Sequence, residues 1–162
     1  MHQAAFEWVA RHAPRTAAVV VEVGSRDVNG SVRPIFSFCD RYIGVDITDG
    51  PAVDVVADFA TWDYSGADCV VCCEVLEHVE DWRDIVTKAA EVVNVGGTVI
   101  LTAACDPRAP HSAVDGAGLR PGEFYENVDP EQLAAVLDEL FSDVTVDATP
   151  DGDVRAVARG KR

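Results

Sequence analysis

Residues 17–23 read AAVVVEV and run straight into Gly24 and Ser25. An apolar run rich in β-branched valine, broken by one carboxylate, predicts a strand buried on both faces. The glycine that follows suits a tight turn out of the strand. Strands of this kind belong to parallel sheets, whose neighbours are joined by helical crossovers.

The sequence on either side continues that pattern. Residues 30–39 read as a helix, with Pro34 tolerable near its first turn. Arg41–Asp46 (RYIGVD) is a second strand, Val53–Asp58 (VDVVAD) a shorter third, and Asp68–Cys73 a nearly all-apolar fourth. Only Ile47–Ala52 separates the second and third. A crossover normally needs a dozen or more residues, so the helix there is predicted to be missing or reduced to a turn. Asp81–Asn94 is the clearest helix, with Trp82, Ile85, Val86, Ala89 and Val93 on one stripe and Gly96-Gly97 as its stop. Thr98–Ala103 (TVILTA) is a fifth strand. Upstream, residues 3–13 form a short helix with Phe6, Val9, Ala10 and Ala13 on one face.

Downstream, Cys105–Val128 is a long loop rich in Pro and Gly. Asp129-Pro130-Glu131-Gln132 then opens a helix with an N-cap, a proline at the first position and a glutamine at the third. Its apolar face is Leu133, Val136, Leu137, Leu140 and Phe141. Val144 and Val146 alternate with Asp143, Thr145 and Asp147, and a Thr149–Gly152 turn leads to VRAVA (154–158). Alternation implies one wet face, hence an antiparallel edge hairpin. The fold class is α/β: a three-layer sandwich around a mostly parallel sheet with an antiparallel C-terminal edge hairpin. Residues 1–162 make one domain: an N-terminal helix (1–14), a core (17–103), a loop (105–128), then a helix and hairpin (129–159).

The formal net charge of −15 repels phosphate backbones, so nucleic acid is disfavoured as a partner. No apolar run is long enough to span a membrane, and no basic segment followed by an apolar core suggests a leader. Five cysteines without framework spacing fit a reduced, cytoplasmic setting. The strand period of two turns Cys69 and Cys73 one way and Cys72 the other, and no second Cys or His pair has ligand spacing. Buried thiols are expected, and no metal.

Ligands of parallel sheets bind beyond the carboxyl ends of the strands. Glu22 stands two residues before Gly24, and a carboxylate inside a buried strand is expensive unless paired. It reads as a ligand residue, the plainer alternative being a backbone cap. Asp46 ends the second strand 22 residues after Gly24, where a carboxylate suits a ribose diol. Asp58 ends the third, divided between an exocyclic amine and a helix cap, with Phe59 to flank a flat base. Glu74, Glu77 and His78 leave the fourth strand at the same edge. The loop after Gly24 is not G-x-G-x-x-G, and Arg26 and Val28 would crowd a pyrophosphate.

Five stretches together resemble the class I S-adenosylmethionine-dependent methyltransferases, a Rossmann-like superfamily. They are VVVEVGS (19–25), YIGVD (42–46), VVADF (55–59), DCVVCCEVLEHVEDW (68–82) and NVGGTVILTA (94–103). The resemblance implies a seven-stranded sheet and S-adenosylmethionine as cofactor, with S-adenosylhomocysteine as product. By it, Glu22 and the backbone of Gly24, Ser25, Arg26 and Asp27 face the methionine portion. Asp46 takes the ribose hydroxyls, with Ile47 beside the adenine. Asp58 takes the adenine amine, with Phe59 near the ring. The Cys73 carbonyl and Glu74 lie near the methionine ammonium. Arg26 stands where the family commonly has small residues.

The reaction implied is methyl transfer to an oxygen or nitrogen of a small-molecule acceptor by a monomer or homodimer. His111 and His78 are the candidate general bases. Arg108 and Arg120 could hold an acidic acceptor, with Tyr125 and Glu77 completing the substrate set. Two rival classes are a non-catalytic S-adenosylmethionine-binding interaction protein and a nucleotide-dependent oxidoreductase or epimerase. The latter would want three phosphate-loop glycines.

Overall fold

The structure is a computed structural model and describes residues 3–162. Its elements are α1 (Gln3–His12), β1 (Val19–Val23), β2 (Arg41–Asp46), β3 (Val55–Val56), β4 (Ala67–Cys73), α2 (Trp82–Val92), β5 (Val93–Ala104), α3 (Pro130–Leu140), β6 (Phe141–Ala148) and β7 (Asp153–Lys161). They build one seven-stranded sheet in the order β3-β2-β1-β4-β5-β7-β6. The first five strands in that order are parallel, and β7 runs antiparallel to both β5 and β6.

Both faces are covered, as the apolar strands require. Val21, Val23, Val70 and Cys72 pack with the apolar stripes of α2 and α3. Val20, Cys69 and Val71 pack on the other face with Trp8 and Val9 of α1 and with Phe36. Cys73 packs beside Cys69, so the thiols divide between the faces as the strand period dictates. All five cysteines are free thiols. The Trp8 indole N–H donates to the Ala156 carbonyl at 3.3 Å, which pins α1 to β7.

Three elements depart from the sequence reading. Residues 30–39 do not form an α-helix: only Arg33–Phe36 turns, as a 3-10 segment. Ile35 N–H bonds the Val32 carbonyl and Cys39 N–H the Phe36 carbonyl, both three residues back. Pro34 has no N–H to give, and Asp40 and Arg41 must already reach the Ala18 carbonyl to start β2. Gly96-Gly97 does not stop α2, which ends at Val92; the pair lies within β5, near a register shift between Ala67 and Cys69. The third strand shrinks to Val55–Val56. The β2–β3 connection has no helix, and Asp54 secures it by accepting the Gly44 N–H at 2.8 Å while Arg33 pairs with the same carboxylate. The C-terminal hairpin forms the antiparallel edge of the sheet as expected, with β6 outermost and β7 between β5 and β6, where Val154, Ala156 and Ala158 are buried.

The capping expected at the last helix is present. Asp129 accepts the N–H groups of Glu131 and Gln132 at 2.8 and 3.1 Å, with Pro130 at the first position. No helix among the described residues is long and apolar enough to cross a membrane.

Candidate functional site

Strands β1, β2 and β4 end on one edge, and the turns leaving them enclose a cleft of about 1200 Å³. This is where a parallel sheet offers exposed backbone and side chains to a ligand. The β1 turn is fastened to β2, because Gly24 and Ser25 N–H both donate to the Val45 carbonyl at 2.9 and 3.2 Å. Gly24 has φ +70, and a Cβ there would lie 2.2 Å from Val75 Cγ2. Conformation and space therefore both require glycine.

Glu22 is buried, at 6% exposure, yet reaches the cleft. Its Oε2 accepts the Tyr42 hydroxyl at 2.9 Å. Burial pushes its carboxyl up to about 7, against the pull of the Tyr42 bond and the Arg33 charge, with Asp27 and Asp54 adding to the rise. Sequence reading missed Tyr42. The signal was available in the register: Glu22 pairs with Gly44, and Tyr42 lies two residues before Gly44 on the same face of β2. Ser25 also lines the cleft, and its buried hydroxyl has no hydrogen-bond partner.

Asp46 is held from two sides. Its Oδ2 accepts Arg26 N–H at 3.1 Å and its Oδ1 accepts Thr48 N–H at 2.9 Å. A carboxylate oxygen has two acceptor sites, so each retains one for a ligand. The Arg26 side chain packs against Gly50, where a Cβ would meet its Cγ and Cδ at 2.8 Å. Ile47 lines the cleft at 75% exposure, an apolar surface beside Asp46. Asp58 also lines the cleft, and its Oδ1 caps the following 3-10 turn by accepting Ala60 N–H at 3.0 Å. Phe59 reaches the cleft wall from the core, where it is 3% exposed. Asp27 is not among the lining residues; its Oδ1 closes the loop on Gly30 N–H at 2.9 Å.

Cys73 and Glu74 form the β4 wall. Glu74 has φ +57, left-handed for a side-chain-bearing residue. It is locked there by its own N–H to the Thr102 carbonyl at 2.8 Å and by the Thr102 hydroxyl donating to Oε1 at 2.9 Å. Arg108 reaches Glu74 Oε2 at 3.3 Å and Asp153 Oδ1 at 3.0 Å. It lines the cleft with its charge shared between two carboxylates of the fold. Arg120 is not among the lining residues, and its guanidinium pairs with Asp115 of the same loop.

Glu77, assigned to the substrate set by sequence, is fully buried and absent from the cleft wall. Its Oε1 accepts Ala104 N–H at 3.1 Å, and its Oε2 has no partner. Burial, then the Glu74 charge, pushes it up to about 8. His78 and His111 both line the cleft, their rings perpendicular with centroids 5.1 Å apart. Burial, then His111, lowers His78. Tyr125 lies outside the lining and packs on both imidazoles at 5.5 and 4.9 Å. Loop residues between Arg108 and Gly118 supply much of the remaining wall.

The Glu22 carboxyl predicts a pH dependence. Its folded value of about 7 lies above the ordinary 4.5, so the folded state keeps a proton that the unfolded state has released. The stability it contributes is complete below about pH 4.5 and declines as pH rises through 7. Thermal melts of the ligand-free protein are expected to show this decline, and Glu22→Gln should flatten it. An identical pH profile in a folded Glu22→Gln variant would contradict the assignment.

The model of a methyltransferase-domain family matches residues 21–101, half of the chain and the strands that build the cleft. The chain belongs to this methyltransferase family. Solved structures with the same fold include the N1-methyltransferase of 1,6-didemethyltoxoflavin from Burkholderia thailandensis, crystallised with 1,6-didemethyltoxoflavin and S-adenosylhomocysteine. It is 16% identical with a TM-score of 0.69, covering 99% of this chain and 78% of that one. The N-methyltransferase NodS from Bradyrhizobium japonicum, in complex with S-adenosylhomocysteine, is 15% identical with a TM-score of 0.64, covering 90% and 79%. A DhpI–SAM–HEP complex is 19% identical with a TM-score of 0.70, covering 96% and 85%. No match was found among curated proteins by sequence. The methyltransferase fold is thus the Rossmann-like sandwich expected from the strands, with a reduced β2–β3 connection.

Proposed function

We propose that this methyltransferase-family chain transfers the methyl group of S-adenosylmethionine to an oxygen or nitrogen of a small-molecule acceptor in the cytoplasm. The observation that carries the reading is the placement of Glu22 and Asp46 at the carboxyl ends of adjacent parallel strands, both lining one cleft, around a turn with Gly24 as its close-approach residue. The residues fit the cofactor. Glu22 offers a buried carboxyl to the methionine ammonium, and the unpartnered Ser25 hydroxyl lines the same cleft. Asp46 has one acceptor site left on each oxygen for the two ribose hydroxyls. Ile47 offers an apolar surface for the adenine.

When bound, S-adenosylmethionine supplies a methyl group already activated by its sulfonium charge. The protein's work is then alignment and exclusion of water. The Arg108–Gly118 segment lies over the cleft and would cover the acceptor; long loops in compact domains are usually functional. A base is needed only where the acceptor must lose a proton, and His78 and His111 are the imidazoles on that wall.

The test is turnover of radiolabelled S-adenosylmethionine against a panel of small oxygen and nitrogen acceptors, with release of S-adenosylhomocysteine as the second readout. His111→Ala is expected to leave S-adenosylhomocysteine affinity within about twofold while lowering transfer. A large loss of cofactor affinity in that variant would move His111 out of the acceptor region.

A further inference from the structure

At the wall that would face the acceptor, two lining imidazoles meet a carboxyl buried behind them. Glu77 and His78 come from the 3-10 turn after β4 (Leu76–His78), and His111 from the loop above it. One ligand atom from each, a carboxylate oxygen and two imidazole nitrogens, lies within 4.8 Å of the others. Two of the three side chains hold a buried atom without a hydrogen bond, Glu77 Oε2 and His78 Nδ1. A fully buried carboxyl with one oxygen unpaired is costly, and it asks for a cation or a donor.

The supporting contacts are those of a ligand set. Glu77 is oriented through its other oxygen by the Ala104 N–H. His111 Nδ1 lies 3.2 Å from the Ala109 carbonyl, and donating there leaves the lone pair on Nε2. The Tyr125 ring braces both imidazoles from behind.

We infer that Glu77, His78 and His111 bind one divalent transition-metal ion of the zinc class at the acceptor end of the cleft. Two imidazoles and one carboxylate suit such an ion, whereas magnesium and calcium prefer all-oxygen sets. Three protein ligands leave a coordination position open, as in catalytic zinc sites. Tetrahedral ligands at about 2.1 Å from the ion stand roughly 3.4 Å apart. The cluster must therefore close by about 1.4 Å from its 4.8 Å spread, and His111 sits on a segment with no helix or strand to resist that movement. With the ion bound, the imidazoles serve as ligands and not as general bases. An acceptor oxygen is the group that suits the open position. That last point alone rests on the methyltransferase reading; uptake of the ion does not. The sequence shows no ligand spacing because Glu77 and His78 are adjacent and the third ligand lies in the distant loop.

The experiment uses the full chain without an affinity tag, stripped with chelator and dialysed. It is titrated with Co²⁺, followed by visible absorption, and with Zn²⁺, followed by calorimetry. One equivalent of metal is expected to bind. Glu77→Gln and His111→Ala should each weaken binding at least about tenfold, and His111→Ala, on the exposed loop, keeps the test valid if Glu77→Gln folds poorly. Absence of metal binding, or binding indifferent to His111→Ala, overturns the inference. A parallel titration with S-adenosylhomocysteine separates the two readings. A chain that takes the nucleoside but no metal loses the metal site alone, and one that takes metal but no nucleoside loses the cofactor assignment.

Discussion

Gly24→Val is expected to destabilise the protein by about 2–5 kcal/mol and to abolish measurable binding of S-adenosylhomocysteine. Two costs add at this position. The left-handed φ of +70 opposes any Cβ, and the Cβ would stand 2.2 Å from Val75 Cγ2. Val75 cannot yield cheaply, because it packs against the core cluster between the strained Glu74 and buried Leu76. The turn would have to lift off β2, breaking the Gly24 and Ser25 bonds to the Val45 carbonyl. Gly96→Ala is the matched control. Its φ is +85 with nothing within 4 Å of the added Cβ, so only the conformational cost of about 1–2 kcal/mol applies. Denaturant unfolding of the two variants checks this. Equal losses would mean that the Val75 contact gives way and the turn is looser than described.

The second large effect is on the cofactor. Asp46→Ala should weaken S-adenosylhomocysteine binding by more than about tenfold, on the order of 1.4 kcal/mol. The loss has two sources. Both ribose acceptors disappear, and Arg26 and Thr48 N–H lose the carboxylate that ties the β1 and β2 turns together. Asp46→Asn separates them, since one acceptor oxygen remains while the charge is gone. Its affinity should fall between the parent and Asp46→Ala. Glu22→Ala should also cost more than about tenfold, whereas Glu22→Gln keeps an acceptor for the Tyr42 hydroxyl. Calorimetric titration of variants with parent-like circular dichroism reads these values. Unchanged affinity in Asp46→Ala would remove it from the site.

The strands were legible because their signal is local. Arg41–Asp46 and Val19–Val23 are apolar runs with turn residues at their ends, and period two assigned Cys69, Cys72 and Cys73 to their faces. The failures lie where tertiary closure overrides local pattern. Residues 30–39 carry helix-compatible side chains, but the short path back to Ala18 allows only a 3-10 turn. The C-terminal hairpin was legible from the alternation of Val144 and Val146 with Asp143, Thr145 and Asp147, and it forms the antiparallel edge of the sheet.

The site divides in the same way. Glu22, Gly24 and Asp46 are fixed by strand ends, so position along the chain located them at the cleft. The loop residues were chosen by residue type alone. Arg108 and Arg120 are basic, but their partners Glu74, Asp153 and Asp115 appear only in space. Glu77 was placed in the substrate set from its position after the fourth strand, yet the turn after β4 points it into the protein toward Ala104.

Calorimetric titration with S-adenosylhomocysteine, with NAD as the control ligand, tests the central claim most directly. The account predicts micromolar binding of S-adenosylhomocysteine at one site per chain and no binding of NAD. Binding of NAD alone, or of neither, would contradict it.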